Sequence, residues 1–526
     1  MGLLAVAALV FTPLAAPAAD PAVILQIQPP GRVLEEVRAV VKSVGGEEAV
    51  KMMNESMAQA LGEKGFEGID LGKPIYGYAV LDGKLDAAVG VLVVPVTGEK
   101  EFIGFYERAS GKKLEAAKDG LYDLKLPNAD EKVKLLMRFE SKHAYFAIGK
   151  DPAKAIEKKA LVAPEKLAEP DEKSLASVKV YFNRLPKELR GEISNGLKEL
   201  KKQLDELKLP AEAGEPAKMA AEELIKLGDR YVDLLQDAET ATARVLLDSE
   251  KGEAGLELGL TGRPGSELAK AIAARKPSTN KFAGLITPDT VYGLRLQLPF
   301  FAPEIQKAAV IGLEAAKKHA DESAPPEFKG AIDEAIKGLI RTVKDGEVDL
   351  AVALRGPDKK GFYSVVGAVA FEDPAALEKE LRGVIEKQLP PMFKDLLKLD
   401  VAKVGNTSIH EVQLGAFLPP EVKQVFGEDA SLAFAFAPNG IFVTFGPTAV
   451  ETMKTALTVK KGPSPAFEVL ANPKQVAKLL ATFGLDAKAD AEMPDKLLSG
   501  FAITLEGGKE LRLKLATNWN IYQGFQ

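Results

Sequence analysis

Three histidines are the only imidazoles in the chain, and they stand far apart in sequence: His143, His319 and His410. A histidine metal site draws on pairs such as His-x-x-x-His, which set two ring nitrogens on one helical face, and no such pair occurs. His143 follows Lys142 in a polar turn. His319 ends the run Lys317-Lys318-His319, where a cation complements a helix C-terminus. His410 sits in the alternating stretch Thr407-Ser408-Ile409-His410-Glu411-Val412, which predicts the polar face of a strand. The chain has no cysteine, so disulfides, thiolate metal sites, Fe–S clusters and cysteine nucleophiles are all removed.

Other chemistry-bearing patterns fail at named positions. A serine nucleophile elbow needs Gly-x-Ser-x-Gly, and Leu498-Ser499-Gly500 lacks the leading glycine. A phosphate-cradling loop needs Gly-Lys-Ser/Thr after an upstream glycine, and Ser110-Gly111-Lys112-Lys113 ends in the wrong residue. Acidic pairs such as Glu35-Glu36, Glu47-Glu48 and Glu222-Glu223 are adjacent on helix-like runs. General acid–base work wants carboxylates from separate elements around a cleft, so these read as solvated surface. No catalytic, cofactor-binding or metal-binding residue is assigned.

The 526 residues are 46% hydrophobic and 27% charged, enough material for more than one core. A net charge of −6 with both signs interspersed offers no basic stripe for nucleic acid. Residues 1–19 carry no charge. Ala16 and Ala18 stand at the spacing a signal peptidase reads, so residues 1–18 are expected to be a signal peptide and the mature chain to be exported, periplasmic or extracellular. No later stretch has the ~18 uncharged apolar residues of a membrane span.

The elements suggest a doubled chain. VILQIQ from Val23 and VYGLRLQL from Val291 both read as a strand ending at proline and followed by an amphipathic helix. Ile75–Val80, Leu85–Val94 and Phe102–Tyr106 predict strands in the first half, as Val348–Leu354 and Tyr363–Phe371 do in the second. MRFESKHAYFAIG from Met137 precedes the helix-like DPAKAIEKKA, just as FAFAPNGIFVTFG from Phe434 precedes PTAVETMKTAL. Each half closes on a hairpin, near residues 250 and 510.

The expected fold is therefore α+β. Two tandem homologous halves (19–262 and 281–526, linked by 263–280) each form a largely antiparallel sheet covered by helices. The first half adds a helical hairpin over 187–236. Its seam Leu189, Ile193, Leu197, Leu200 and Leu204 steps by fours and threes, and either docks a partner or packs on its own sheet. VGVLVV (Val89–Val94) and VVGAVAF (Val365–Phe371) are apolar on both faces, so helices, the other half or a lipid-like ligand must cover them.

The opening VILQIQPPGRVLEEV and the block LLDSEKGEAGLELGLTGRPGS resemble uncharacterised secreted proteins common in planctomycete-type bacteria. The resemblance implies export and a duplicated α+β architecture, and it transfers no functional residue. The function expected is that of an exported, non-enzymatic binding or structural protein of the cell envelope. Its partner would be an unknown protein or envelope component. A carrier of a hydrophobic ligand and a motif-less envelope hydrolase are the alternatives.

Overall fold

The structure, a computed structural model, describes residues 20–81, 88–116, 118–124, 133–169, 173–205, 215–275, 277–298, 303–323, 326, 329–344, 348–388, 396–484 and 500–518. The expected signal peptide lies outside them. The chain divides into two compact units, Met1–Lys198 with Gln236–Pro264, and Glu199–Leu235 with Gly265–Gln526.

The first unit contains β1 (Val23–Ile27), α1 (Pro30–Leu61), β2 (Ile75–Val80), β3 (Val89–Pro95), α2 (Glu99–Ser110), β4 (Leu121–Leu124), β5 (Lys134–Glu140) and β6 (His143–Gly149). It continues through α3 (Pro164–Leu167), β7 (Ser174–Tyr181), the start of α4 (Lys187–Asp205), β8 (Ala238–Asp248) and β9 (Glu253–Gly262). The strands pair antiparallel in the order β4-β5-β6-β3-β2-β1-β7-β8-β9.

The middle of this sheet is sealed on both sides. Alternate residues of a strand face opposite ways. Val89, Val91 and Val93 join Tyr76, Tyr78 and Tyr145 under Ile156 and Leu167. Val94 on the opposite face joins Ile75, Met137 and Phe146 under Phe102 of α2. The segment around Phe102–Tyr106, expected as a strand, is this helix. Phe102, Ile103, Phe105 and Tyr106 recur at helical spacing, Glu99 and Glu101 favour the first turn, and Gly111 ends the helix in the left-handed conformation (φ 67°). DPAKAIEKKA is likewise not a helix. It folds as two short 3₁₀ turns, Lys154–Ile156 and Lys158–Ala160, that bury Ala155 and Ile156 against the sheet.

The second unit contains α5 (Glu215–Leu235), α6 (Glu267–Ala273), β10 (Ser278–Asn280), β11 (Thr290–Leu298), α7 (Pro303–Ser323), α8 (Lys329–Lys344), β12 (Val348–Arg355) and β13 (Ser364–Val369). It continues with α9 (Pro374–Gln388), β14 (Leu397–Val404), β15 (Thr407–Gln413), α10 (Pro420–Phe426), β16 (Ser431–Ala437), β17 (Gly440–Gly446) and α11 (Ala449–Ala456). Last come β18 (Gly462–Ser464), β19 (Phe467–Ala471), α12 (Pro473–Thr482), β20 (Phe501–Glu506) and β21 (Leu511–Asn518). The antiparallel order is β14-β15-β16-β17-β13-β12-β11-β19-β20-β21, with β10 and β18 paired apart from it. Helices α5, α7, α8 and α9 pack successively side by side. Among the described residues, no helix is long and apolar enough to cross a membrane.

Candidate functional site: an open aliphatic sheet face

In the second unit the two faces of one sheet are built differently. Over β12, β13, β16 and β17 one face is small and sealed. Ala351, Ala353, Val366, Ala368, Ala433 and Ala435 let Phe282, Leu285 and Met453 approach closely, and Phe442 meets Phe282 edge to face at 5.3 Å. Alanine is what close helix packing selects, because each added methyl would hold the covering layer away.

The other face carries large side chains and stays partly open. Strand registry lines them up in rows across eight strands. One row runs Val443, Gly367, Val352, Leu294, Val469 and Ile503, extended by Phe434 at one end and Leu515 at the other. The neighbouring row runs Ile441, Val369, Leu350, Leu296, Phe467 and Leu505, between Phe436 and Leu513. Every member is apolar or glycine, and all of them keep part of their surface open. Val443, at the centre of its strand, is 41% exposed. Seven strand spacings of about 4.8 Å give each row a length on the order of 34 Å. A bilayer leaflet's chains span about 15 Å.

A charged cluster closes the β14–β16 end of this face. His410 of β15 is 1% exposed, not on a solvated polar face as its alternating stretch predicts. Its ring lies 5.1 Å from Phe434 and 6.4 Å from Phe436, beneath α9. The Asp400 backbone N–H donates to His410 Nδ1 at 3.2 Å, which leaves the ring proton on Nε2. Nε2 lies 3.3 Å from Glu378 Oε1 without a hydrogen bond.

Glu378 and Arg382 share one face of α9 at helical spacing. The guanidinium donates to Glu378 Oε1 (2.9 and 2.7 Å) and, in a two-pronged fork, to both Asp400 oxygens (2.8 and 2.7 Å). Asp400 can face the fork because β14 is irregular between Lys398 and Ala402, with Asp400 in the left-handed region at φ 56°. The Arg382 fork, helped by Ser408, holds the Asp400 carboxyl well below the usual carboxylate range. Burial first, and then the nearby Arg382, pushes the His410 imidazolium below its ordinary value.

The proposed seam lies elsewhere. Leu189 is buried against Ala88 with Leu81. Ile193 and Leu200 are exposed, Leu197 is half-buried, and the Leu204 side chain lies outside the described residues. Helix α5 packs along α7, with an Arg230–Glu304 ion pair at 3.2 Å. His143 opens β6 with Nδ1 2.9 Å from the Ser141 carbonyl, and His319 is exposed on α7. Among the described residues, no three His, Asp or Glu side chains are placed to hold a metal ion. The two-row face was partly readable: VVGAVAF is apolar at every position but Gly367, yet sequence alone does not say which face stays partly exposed.

No family model matches the chain, and no curated protein does. One solved structure, described as "Structure of crystal form IV of TP0453", aligns over 48% of this chain and 82% of its own. The pair are 12% identical with a TM-score of 0.23, which carries no argument about fold or function.

Proposed function

We propose that the chain is an exported, non-enzymatic binding protein of the cell envelope that holds an apolar, acyl-type ligand against the open face of its second sheet. The observation that carries this reading is the pair of registered rows. Large aliphatic and aromatic side chains stay partly exposed, while the opposite face of β12, β13, β16 and β17 is sealed by a small, alanine-rich core. Contiguous exposed apolar surface is costly at about 25 cal/mol per Å², so a protein that retains it generally uses it.

The two strand orders support a doubled ancestral segment. β1 lies between β2 and β7, as β11 lies between β12 and β19, each of β7 and β19 preceding its closing hairpin, and the hairpins β5–β6 and β16–β17 pair beside β3 and β13. Helices α4 and α5 then read as a helical hairpin inserted in the first segment. Export is supported by the uncharged leader and its Ala16/Ala18 spacing. Sequencing the N-terminus of secreted material is expected to begin at Ala19.

The ligand reading is tested by organic extraction and native mass spectrometry of the purified chain, with saturable titration of a fluorescent fatty acid. Val443→Asp and Ile503→Asp are expected to weaken binding at least about tenfold, since each sets a charge in the apolar track. Met52→Asp, on the exposed side of α1, is expected to leave binding unchanged. No extractable lipid together with no saturable binding overturns the reading.

A further inference from the structure

We propose that His410 is an acid-operated latch: protonation of its ring breaks the bond that holds the Asp400 bulge and loosens α9 from the β14–β15 end of the open face. That loosening admits ligand to this end only if the face binds an apolar ligand as proposed. The latch itself stands without it.

The geometry admits one neutral state. Nδ1 accepts a hydrogen bond from the Asp400 backbone N–H, so the ring proton is on Nε2 and a second proton must go to Nδ1. Two donors would then face each other at 3.2 Å and the bond is lost. The other groups around the ring decide how the charge is received. From α9 come Glu378 and Arg382, from β14 comes Asp400, and β16 presents the rings of Phe434 and Phe436. An imidazolium repels Arg382 and competes with it for Glu378, the carboxylate that anchors the fork on α9.

Counting charge alone, two carboxylates against one guanidinium would welcome a further cation. Burial opposes this more strongly, because a ring that is 1% exposed has almost no water to solvate the charge. That balance fixes the sign. A histidine kept neutral by the fold contributes stability above the ordinary imidazole value and loses it as pH falls through its lower folded value.

Hydrogen exchange on the full chain without ligand, at about pH 7 and about pH 5, reads the latch directly. After correction for intrinsic rates, amides of 374–388 and 397–404 are expected to exchange several-fold faster at the lower pH, because the folded chain binds the added proton less well than the unfolded chain. Amides of β3 in the first unit serve as the reference and stay protected. His410→Asn supplies an acceptor oxygen where Nδ1 stood and does not titrate, so its exchange in both segments is expected to be independent of pH. Equal protection of the wild type at both pH values overturns the latch, as does an unchanged acid response in His410→Asn. Fatty-acid binding is measured separately, so a failed latch and a failed binding site give different results.

Discussion

VGVLVV and VVGAVAF are nearly interchangeable as strings, yet the two sheets treat them oppositely. In the first unit both faces of β3 are enclosed, one by tyrosines and 3₁₀ turns and the other by the aromatic stripe of α2. The exposed large apolar residues on that sheet, Val245, Leu256 and Leu258, belong to its closing hairpin. In the second unit β13 alternates between buried Val366 and Ala368 and half-buried Val365 and Val369. The difference lies in the helix that each strand leads into. β3 leads into a short helix carrying four aromatic or aliphatic side chains toward the core, whereas β13 leads into α9, which buries Val384 and Ile385 and also spends Glu378 and Arg382 on a charged anchor at the sheet's end. An apolar strand therefore announces a need for cover, and its neighbours decide whether the protein supplies it.

The largest test of that contrast is a set of aromatic truncations. Tyr78→Ala and Phe102→Ala, on opposite faces of the first sheet, and Phe442→Ala on the sealed face of the second, are each expected to cost about 3–5 kcal/mol in denaturant unfolding. Phe467→Ala on the open face is expected to cost no more than about 1–2 kcal/mol, because its surroundings are already partly water. Equal losses at Phe442 and Phe467 would mean that the open face is packed as tightly as the sealed one.

Glycines give a smaller and cleaner contrast on the same sheet. Gly440 opens β17 at φ 155°, and a Cβ there would lie 2.2 Å from the Val369 carbonyl oxygen, backbone that has nowhere to go. Gly440→Ala is expected to destabilise by about 1–3 kcal/mol. Gly367, in the open row, would place its Cβ in ordinary contact at 3.4 Å from Val352. Gly367→Ala is expected to be neutral or to stabilise by up to about 1 kcal/mol, through lost freedom in the unfolded chain. Thermal unfolding of the pair separates the two environments.

How far these features could be read beforehand depends on whether the signal is local. Strand existence, the antiparallel hairpins and the proline-entered helices follow from alternation and turn residues, which neighbours in sequence specify. EKEFIGFYERAS misled because its apolar residues are dense enough to satisfy two periods, and tertiary burial of Phe102 selected the helical one. His410 misled for a different reason. Its polar neighbours Ser408 and Glu411 say strand, but its burial is set by α9, which is closer to it in space than sequence spacing shows. The open rows are the least readable feature, since registry across eight strands is a property of pairing that no single strand carries.

The smallest expected effect concerns the charged end of the open face, and its sign is fixed by the Arg382 fork. Asp400 is held ionised below the usual carboxylate range, so its contribution is complete above the ordinary aspartate value of about 3.9 and is lost as pH falls toward its lower folded value. Its side chain is 41% exposed, so solvent screening limits the pair to under about 1 kcal/mol. Asp400→Asn should therefore lower the urea midpoint slightly near neutral pH and flatten its decline between about pH 4 and about pH 2. The same substitution leaves the backbone N–H that meets His410 in place, so the response between about pH 7 and about pH 5 should survive. If Asp400→Asn abolished that response too, the carboxylate fork rather than the imidazole bond would be what ties α9 to the sheet.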